Sequence, residues 1–295
     1  MSRRAKSAHR TSQSRRHEAT RVGPRIARRH RLRDPLHAGV GLLSADHCLR
    51  DPDRLGLPRH SGAVDINLGC SGYVYGLGLA KGLIESEQAN RVLFLTADTY
   101  SKYLNPRDKS VRSVLADGAA ATLLTSDASA TGGRLDGPFV YGTDGRGASN
   151  LIVPAGGMRQ AYDPNAPVQI EDSGNEHTAN NVYMNGAEIF AFTLREVPAV
   201  ISRVLSAKGL SVDDVDLFVP HQANAFILAH LQRKLRIPPE RFVIDMADCG
   251  NTGSSTIAIA LHRAMARGAI RAGMRVMLVG FEVGYSWGTT LLEWI

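Results

Sequence analysis

The stretch Ala63-Val64-Asp65-Ile66-Asn67-Leu68-Gly69-Cys70-Ser71-Gly72 decides how this chain is read. Its first six residues read as a strand, and Gly69 to Gly72 as a tight turn of small residues. Tyr73 to Glu85 then reads as a helix, packed closely through Gly76, Gly78 and Ala80. Arg91 to Ala97 is a short apolar run, consistent with a buried strand. Asp117-Gly118 opens another strand, through Ala119 to Leu124. A strand, a turn, a helix and two further strands make an α/β unit.

The C-terminal part repeats the unit. Val243-Ile244-Asp245-Met246-Ala247-Asp248-Cys249-Gly250-Asn251-Thr252-Gly253 matches the opening stretch. A helix over Thr256 to Arg267, a strand over Arg275 to Val279 and a strand over Gly288 to Trp294 follow it. Any α/β protein repeats such units. The paired Asp65 and Asp245, and the paired Arg91 and Arg275, favour an internal duplication. Between the copies, Gly132 to Pro164 reads as strands with long loops. Gly186 to Ala207 has its apolar residues mainly on one helical face. Val215 to Val219 reads as a strand ending in Pro220-His221, Asn224 to Leu235 as a helix, and Phe242 to Met246 as a strand ending at Gly250-Asn251. The expected class is α/β.

Bulk properties fit a globular protein with a sizeable core. The chain has 295 residues, 43% hydrophobic, 21% charged and 6% aromatic. No apolar run reaches the roughly 20 residues of a membrane span, and no secretory signal is visible. The cysteines, Cys48, Cys70 and Cys249, are odd in number and widely spaced. This argues against a disulfide framework or a metal site and for a reducing, cytoplasmic setting. The net charge of +7 belongs to one end: residues 1–34 carry a balance of +10, and the remainder a balance of −3. Three readings of that end stay open: an arm binding nucleic acid or membrane, a disordered extension, or a segment not native to the protein. The lack of interleaved aromatics or a binding fold counts against the arm.

Three residues follow predicted strands and carry chemistry. Cys70 sits at the start of a predicted helix, where unpaired N–H groups and the helix dipole favour a thiolate. A lone cysteine is more commonly a buried structural one. His221 lies in Pro220-His221-Gln222-Ala223-Asn224, and a lone histidine at a strand end is most often simply structural. Asn251 lies in a Gly-rich segment where asparagines usually make turns. Together they place a nucleophile, an imidazole and an amide donor at strand ends, where α/β sheets favour ligand sites.

The segments DINLGCSGY (65–73), VPHQAN (219–224) and GNTGSSTIAIAL (250–261) resemble the three active-site motifs of ketoacyl synthase III enzymes, in the thiolase-like superfamily. LADGAAATLL (115–124) and YSWGTTLL (285–292) resemble two further segments of that family. The order and spacing agree from about Leu55 to Ile295. The resemblance implies a thiolase-like fold with duplicated halves in a layered α-β-α-β-α arrangement, and a homodimer. It implies an N-terminal half over 55–185 that carries Cys70 and is incomplete. The C-terminal half, 186–295, carries His221 and Asn251.

It also implies the reaction. Cys70 accepts an acyl group from an acyl-CoA or acyl-carrier-protein thioester. His221 and Asn251 stabilise the enolate formed when a malonyl thioester loses CO₂. A 3-oxoacyl thioester leaves, with no metal or organic cofactor. Gly284 and Val283 belong to the loop expected to line the oxyanion and substrate site. MNGAEIFAFTLREVP (184–198) resembles members in surface-polysaccharide or specialised-metabolite pathways; fatty-acid or polyketide synthesis are the expected settings. Two alternatives are acyl transfer from Cys70 to a hydroxyl or amine, and an inactive truncated homologue.

Three segments depart from the family. Gly280-Phe281-Glu282-Val283-Gly284 carries Glu282 and Val283 where many members have glycines. Phe226 stands where some members place an arginine that docks the carrier protein, and Ala191 where some place a lysine; Arg233 and Lys234 are the remaining docking candidates. Residues 1–54 resemble nothing in the family, show no secure period and form an atypical basic segment. They are expected to be disordered or not native to the family, as a shifted reading frame or a misplaced start would produce.

Overall fold

The computed structural model describes residues 21–25, 47–282 and 284–295. In chain order the elements are β1 (Arg21–Arg25), α1 (His47–Arg54), α2 (Gly72–Glu85), β2 (Arg91–Asp98), the single-turn α3 (Lys109–Arg112) and β3 (Gly118–Thr125). The short strands β4 (Gly133–Arg134), β5 (Val140–Thr143), β6 (Leu151–Ile152), β7 (Gln169–Ile170), β8 (Glu176–His177) and β9 (Tyr183–Met184) follow. The rest is α4 (Gly186–Lys208), β10 (Leu217–Pro220), α5 (Ala225–Leu235), α6 (Thr256–Ala266), β11 (Arg275–Glu282) and β12 (Ser286–Trp294). Among the described residues no helix is long and apolar enough to cross a membrane.

The repeated unit is visible as a pair of hairpins, each preceded by a helix. β2 pairs antiparallel with β3 from Arg91↔Thr125 to Asp98↔Gly118. β11 pairs antiparallel with β12 from Arg275↔Glu293 to Glu282↔Ser286. One sheet links them in the order β10-β11-β12-β4-β1-β3-β2, with β5 also on β12. β10 runs parallel to β11, from Leu217↔Val276 to Pro220↔Val279. Helices α2 and α6 lie between the two hairpins. Tyr73, Val74 and Leu77 of α2 share one core with Ile257, Ala258 and Leu261 of α6, Leu124 of β3, and Val276 and Leu278 of β11.

A second core explains why β11 reads as an uninterrupted apolar run. Met277, Val279 and Phe281 point away from α2 and α6 and meet Phe192, Val197 and Ile201 of α4 and Leu228 and Leu231 of α5. A strand covered on both faces has no position for a polar residue. Helix α4 is bounded by chemistry its sequence supplies. Asn185 accepts from the Glu188 N–H at the start, and Gly209 takes the left-handed conformation at the end.

Four expectations are corrected. Ala63–Leu68 is not a strand: it makes no ladder, and Val64 is 76% exposed. Phe242–Met246 is not a strand either; Phe242 makes only one parallel bridge, to Phe218. Alternating apolar residues permit a strand, but a neighbouring edge must supply its hydrogen bonds. β2 is not fully buried. Leu93 and Leu95 are 41% and 42% exposed, and Leu123 of β3 is 46% exposed. Among the described residues no helix does for that face what α4 and α5 do for β11. Lastly, the segment 1–54, in which no secure element was expected, holds α1 and β1. β1 pairs antiparallel with both β3 and β4. Its Gly23 and Pro24 erase the alternation that marks a strand.

The asymmetry of burial predicts unequal mutational costs. Leu261→Ala, in the central core, should lower the unfolding free energy by about 3 kcal/mol. Leu123→Ala, on the open face, should cost less than about 1 kcal/mol. Urea denaturation of the two variants checks this; equal losses would contradict the layer assignment.

Candidate active site

Cys70 lies one residue before Ser71, the N-cap of α2. Cys70 and Cys249 are both thiols, not disulfide partners. The Cys70 loop is pressed against β11. A Cβ placed on Gly280 would lie 3.0 Å from Ser71 Cα, tighter than an ordinary contact, so glycine favours this close approach. Ser71 Oγ and Ser286 Oγ are 2.5 Å apart and buried, which ties the loop to the start of β12.

His221 follows β10. Its backbone N–H donates to Val279 O at 2.7 Å, which continues the β10–β11 ladder by one residue. The Cys70–Ser71 loop and His221 are therefore anchored on consecutive residues of β11, Gly280 and Val279. The His221 ring sits edge-on to Phe281, 5.2 Å between centroids. Its Nδ1 is 2.6 Å from Thr256 Oγ1, and the residue is only 2% exposed. Burial lowers the His221 pKa to about 3, so the ring is neutral at ordinary pH. The loop itself is held by buried Gln222. Its Nε2 donates to Pro220 O and Val243 O, and its Oε1 accepts from the Asp245 N–H.

Asn251 is buried and locked through its backbone. Its N–H donates to Val114 O, and its carbonyl accepts from the Ala116 N–H, both at 2.8 Å. Its side-chain Oδ1 accepts from the Gly253 N–H at 3.0 Å, which leaves the amide N–H₂ as donor. The next residues are held by the end of β2. Asp98 Oδ2 accepts from the N–H and the hydroxyl of Ser254, at 2.8 and 2.5 Å. Burial pushes the Asp98 carboxyl above the usual carboxylate range, offset in part by those two hydrogen bonds. Ser255 Oγ donates to Thr96 Oγ1 and Gly118 O. Gly253 has φ +60°, and a Cβ there would lie 2.6 Å from Asp98 Oδ2. The turn thus needs a glycine for both conformation and room.

Cys70, His221 and Asn251 therefore stand on three turns that meet at β11 and at the segment 250–256. Gly72, two residues after Cys70, faces Ser254: a Cβ on it would come within 4.0 Å of Ser254 Cβ. Gly284 lies in the turn between β11 and β12, where the Tyr285 N–H donates to Asp144 O. Val283 lies outside the described residues. Arg233 and Lys234 are exposed in the last turn of α5. Phe226, on the same helix, is 65% exposed and packs against Phe190 and His230. The sequence reading missed Thr256, Asp98 and Gln222. Asp98 had one signal, a carboxylate at the end of an apolar strand.

Two family models match the chain. The model of 3-oxoacyl-[acyl-carrier-protein (ACP)] synthase III matches residues 64–145. The model of its C-terminal part matches residues 205–294. Beta-ketoacyl-[acyl-carrier-protein] synthase III 3 of Streptomyces coelicolor is 39% identical over 232 residues, 79% of this chain and 67% of that protein. A solved 3-oxoacyl-(acyl-carrier-protein) synthase III is 50% identical with a TM-score of 0.80, over 84% of this chain and 73% of its own. The priming beta-ketosynthase of the R1128 polyketide biosynthetic pathway is 28% identical with a TM-score of 0.67, covering 83% and 69%.

The buried neutral histidine has a consequence for stability. Below about pH 6.5 the unfolded chain binds a proton at His221 that the folded chain refuses until about pH 3. The folded state therefore loses stability as pH falls through that window, by at most about 1.4 kcal/mol per pH unit. His221→Asn should flatten that part of the stability curve. Parallel curves for parent and variant, measured by urea denaturation from pH 8 to 4, would contradict the burial of a neutral ring.

Proposed function

The chain belongs to the 3-oxoacyl-[acyl-carrier-protein] synthase III family, and on that footing we propose that Cys70, His221 and Asn251 are its catalytic residues. The enzyme is an acyltransferase that condenses an acyl thioester with a malonyl thioester to give a 3-oxoacyl thioester. The observation that supports the residue roles most directly is the burial of a thiol, a neutral imidazole and an amide on turns that share β11 and the 250–256 segment.

The Cys70 thiolate attacks the acyl thioester carbonyl, and the carrier or CoA thiol leaves with a proton. The malonyl thioester then loses CO₂. The electron pair of the broken C–C bond moves into an enolate, and His221 and Asn251 donate hydrogen bonds to its oxygen. The enolate carbon attacks the acyl carbonyl, the C–S bond breaks, and the Cys70 thiolate is restored. A neutral imidazole suits this role, since no proton has to be moved for it to donate. Gly284 and Val283 are proposed to line the acyl-side oxyanion site, and Arg233 and Lys234 to meet an acyl-carrier protein.

The relatives carry synthase names, so neither transfer to a hydroxyl or amine nor an inactive homologue is favoured. A homodimer, a cytoplasmic setting, the absence of a cofactor, and the division at residues 54 and 185 are carried forward as parts of the same proposal. Support for the division and the dimer comes from the family resemblance.

Incubation with acyl-CoA should add one acyl mass to the parent and none to Cys70→Ala. Labelling that survives the substitution would remove Cys70 as nucleophile. Asn251→Ala should still load Cys70 but release CO₂ from a malonyl thioester about 100- to 1,000-fold more slowly. Loss confined to loading would instead place Asn251 in the first half-reaction.

A further inference from the structure

We infer that Thr256 sets the tautomer of His221, and so acts as a positioning residue for decarboxylation. The inference deepens the reading above and rests on it for its effect on the rate. A neutral imidazole carries one proton, on Nδ1 or on Nε2, and the partner of one nitrogen decides which. The partner here is Thr256 Oγ1, 2.6 Å from Nδ1. Both residues are 2% exposed, so bulk water does not compete for this contact.

The Thr256 hydroxyl has one proton and two acceptors in reach. One is His221 Nδ1; the other is Gly253 O at 3.1 Å. Gly253 O already accepts the backbone N–H of Thr256 itself. Turning the hydroxyl toward Nδ1 therefore leaves no acceptor without a partner. The ring could instead donate from Nδ1 to Thr256 Oγ1 while the hydroxyl donates to Gly253 O, again with every group paired. The distances favour the first arrangement: 3.1 Å is long for an O–H···O bond, and 2.6 Å suits a hydroxyl donor better than an N–H donor. Nδ1 becomes the acceptor, and the ring proton sits on Nε2. The reverse assignment would put the ring proton on Nδ1. It would leave a lone pair on Nε2, which repels an enolate oxygen instead of stabilising it.

The hydroxyl is well placed to hold this choice. Thr256 is the first residue of α6, and the residues before it are fixed by Asp98, Thr96 and Gly118. β-Branching also restricts the rotation of its side chain. A valine has the same shape and cannot donate. A serine keeps the donor.

The test separates the two half-reactions. Thr256→Val should load Cys70 from acyl-CoA at a rate within twofold of the parent. It should release CO₂ from a malonyl thioester about 100-fold more slowly, the cost of losing one oxyanion donor. Thr256→Ser should restore release to within about threefold. Valine releasing CO₂ at the parent rate would overturn the inference, as would a serine no better than valine. Equal loss of loading and release in valine would also overturn it, since that marks a merely structural role. Nitrogen-15 shifts of His221 in the parent read the tautomer directly and need no variant to fold. An Nε2–H ring supports the inference and an Nδ1–H ring overturns it, whatever the enzyme turns over. A parent that never loads Cys70 would instead overturn the reading of the function.

Discussion

The turn from Gly250 to Thr256 is held by the other half of the molecule. Val114 and Ala116 grip the Asn251 backbone, Asp98 takes both donors of Ser254, and Thr96 and Gly118 receive Ser255. These partners belong to the β2–β3 hairpin and the segment leading into it, at least 130 residues away in sequence. A Gly-rich turn left alone would sample many conformations. Stitched in this way it holds two donors, the Asn251 amide and the Thr256 hydroxyl, in one place. The remaining parts of the site depend on it, because the His221 ring is hydrogen-bonded to this turn through Thr256 Oγ1.

Burial supplies the chemistry that the turn positions. A histidine that is 2% exposed stays neutral far below its ordinary pKa, at a cost in acid stability. In exchange, an uncharged imidazole and an uncharged amide stand buried, which is the arrangement the proposed enolate stabilisation calls for. The same logic explains the packing around Cys70. Gly280 lets the Cys70 loop reach β11, and β11 also carries the Val279 carbonyl that fixes His221. The Cys70 loop and His221 are thus gauged from one strand that is buried on both faces. Such a strand is the least deformable part of the fold.

Much of this was legible in the sequence, for identifiable reasons. The helices were, because their apolar faces and end residues agree, as with Asn185 and Gly209 around α4. The family was, because three motifs in a fixed order are far more specific than any one of them. Ala63–Leu68 and Phe242–Met246 were misread because alternation reports what a strand would bury, not whether an edge is there to pair with it. β1 was invisible because Gly23 and Pro24 break its pattern. Thr256 and Asp98 were missed because their roles exist only across the fold. One looks like an ordinary helix start, the other like an ordinary strand end.

The claim that the β2–β3 strands and their connection clamp the 250–256 turn is tested most directly by amide hydrogen exchange. The N–H groups of Asn251, Ala116 and Ser254 should exchange as slowly as those of Leu278 in β11, opening only when the whole molecule unfolds. Exchange of these three at the rate of exposed loop amides such as Gly157, with Leu278 still protected, would contradict it.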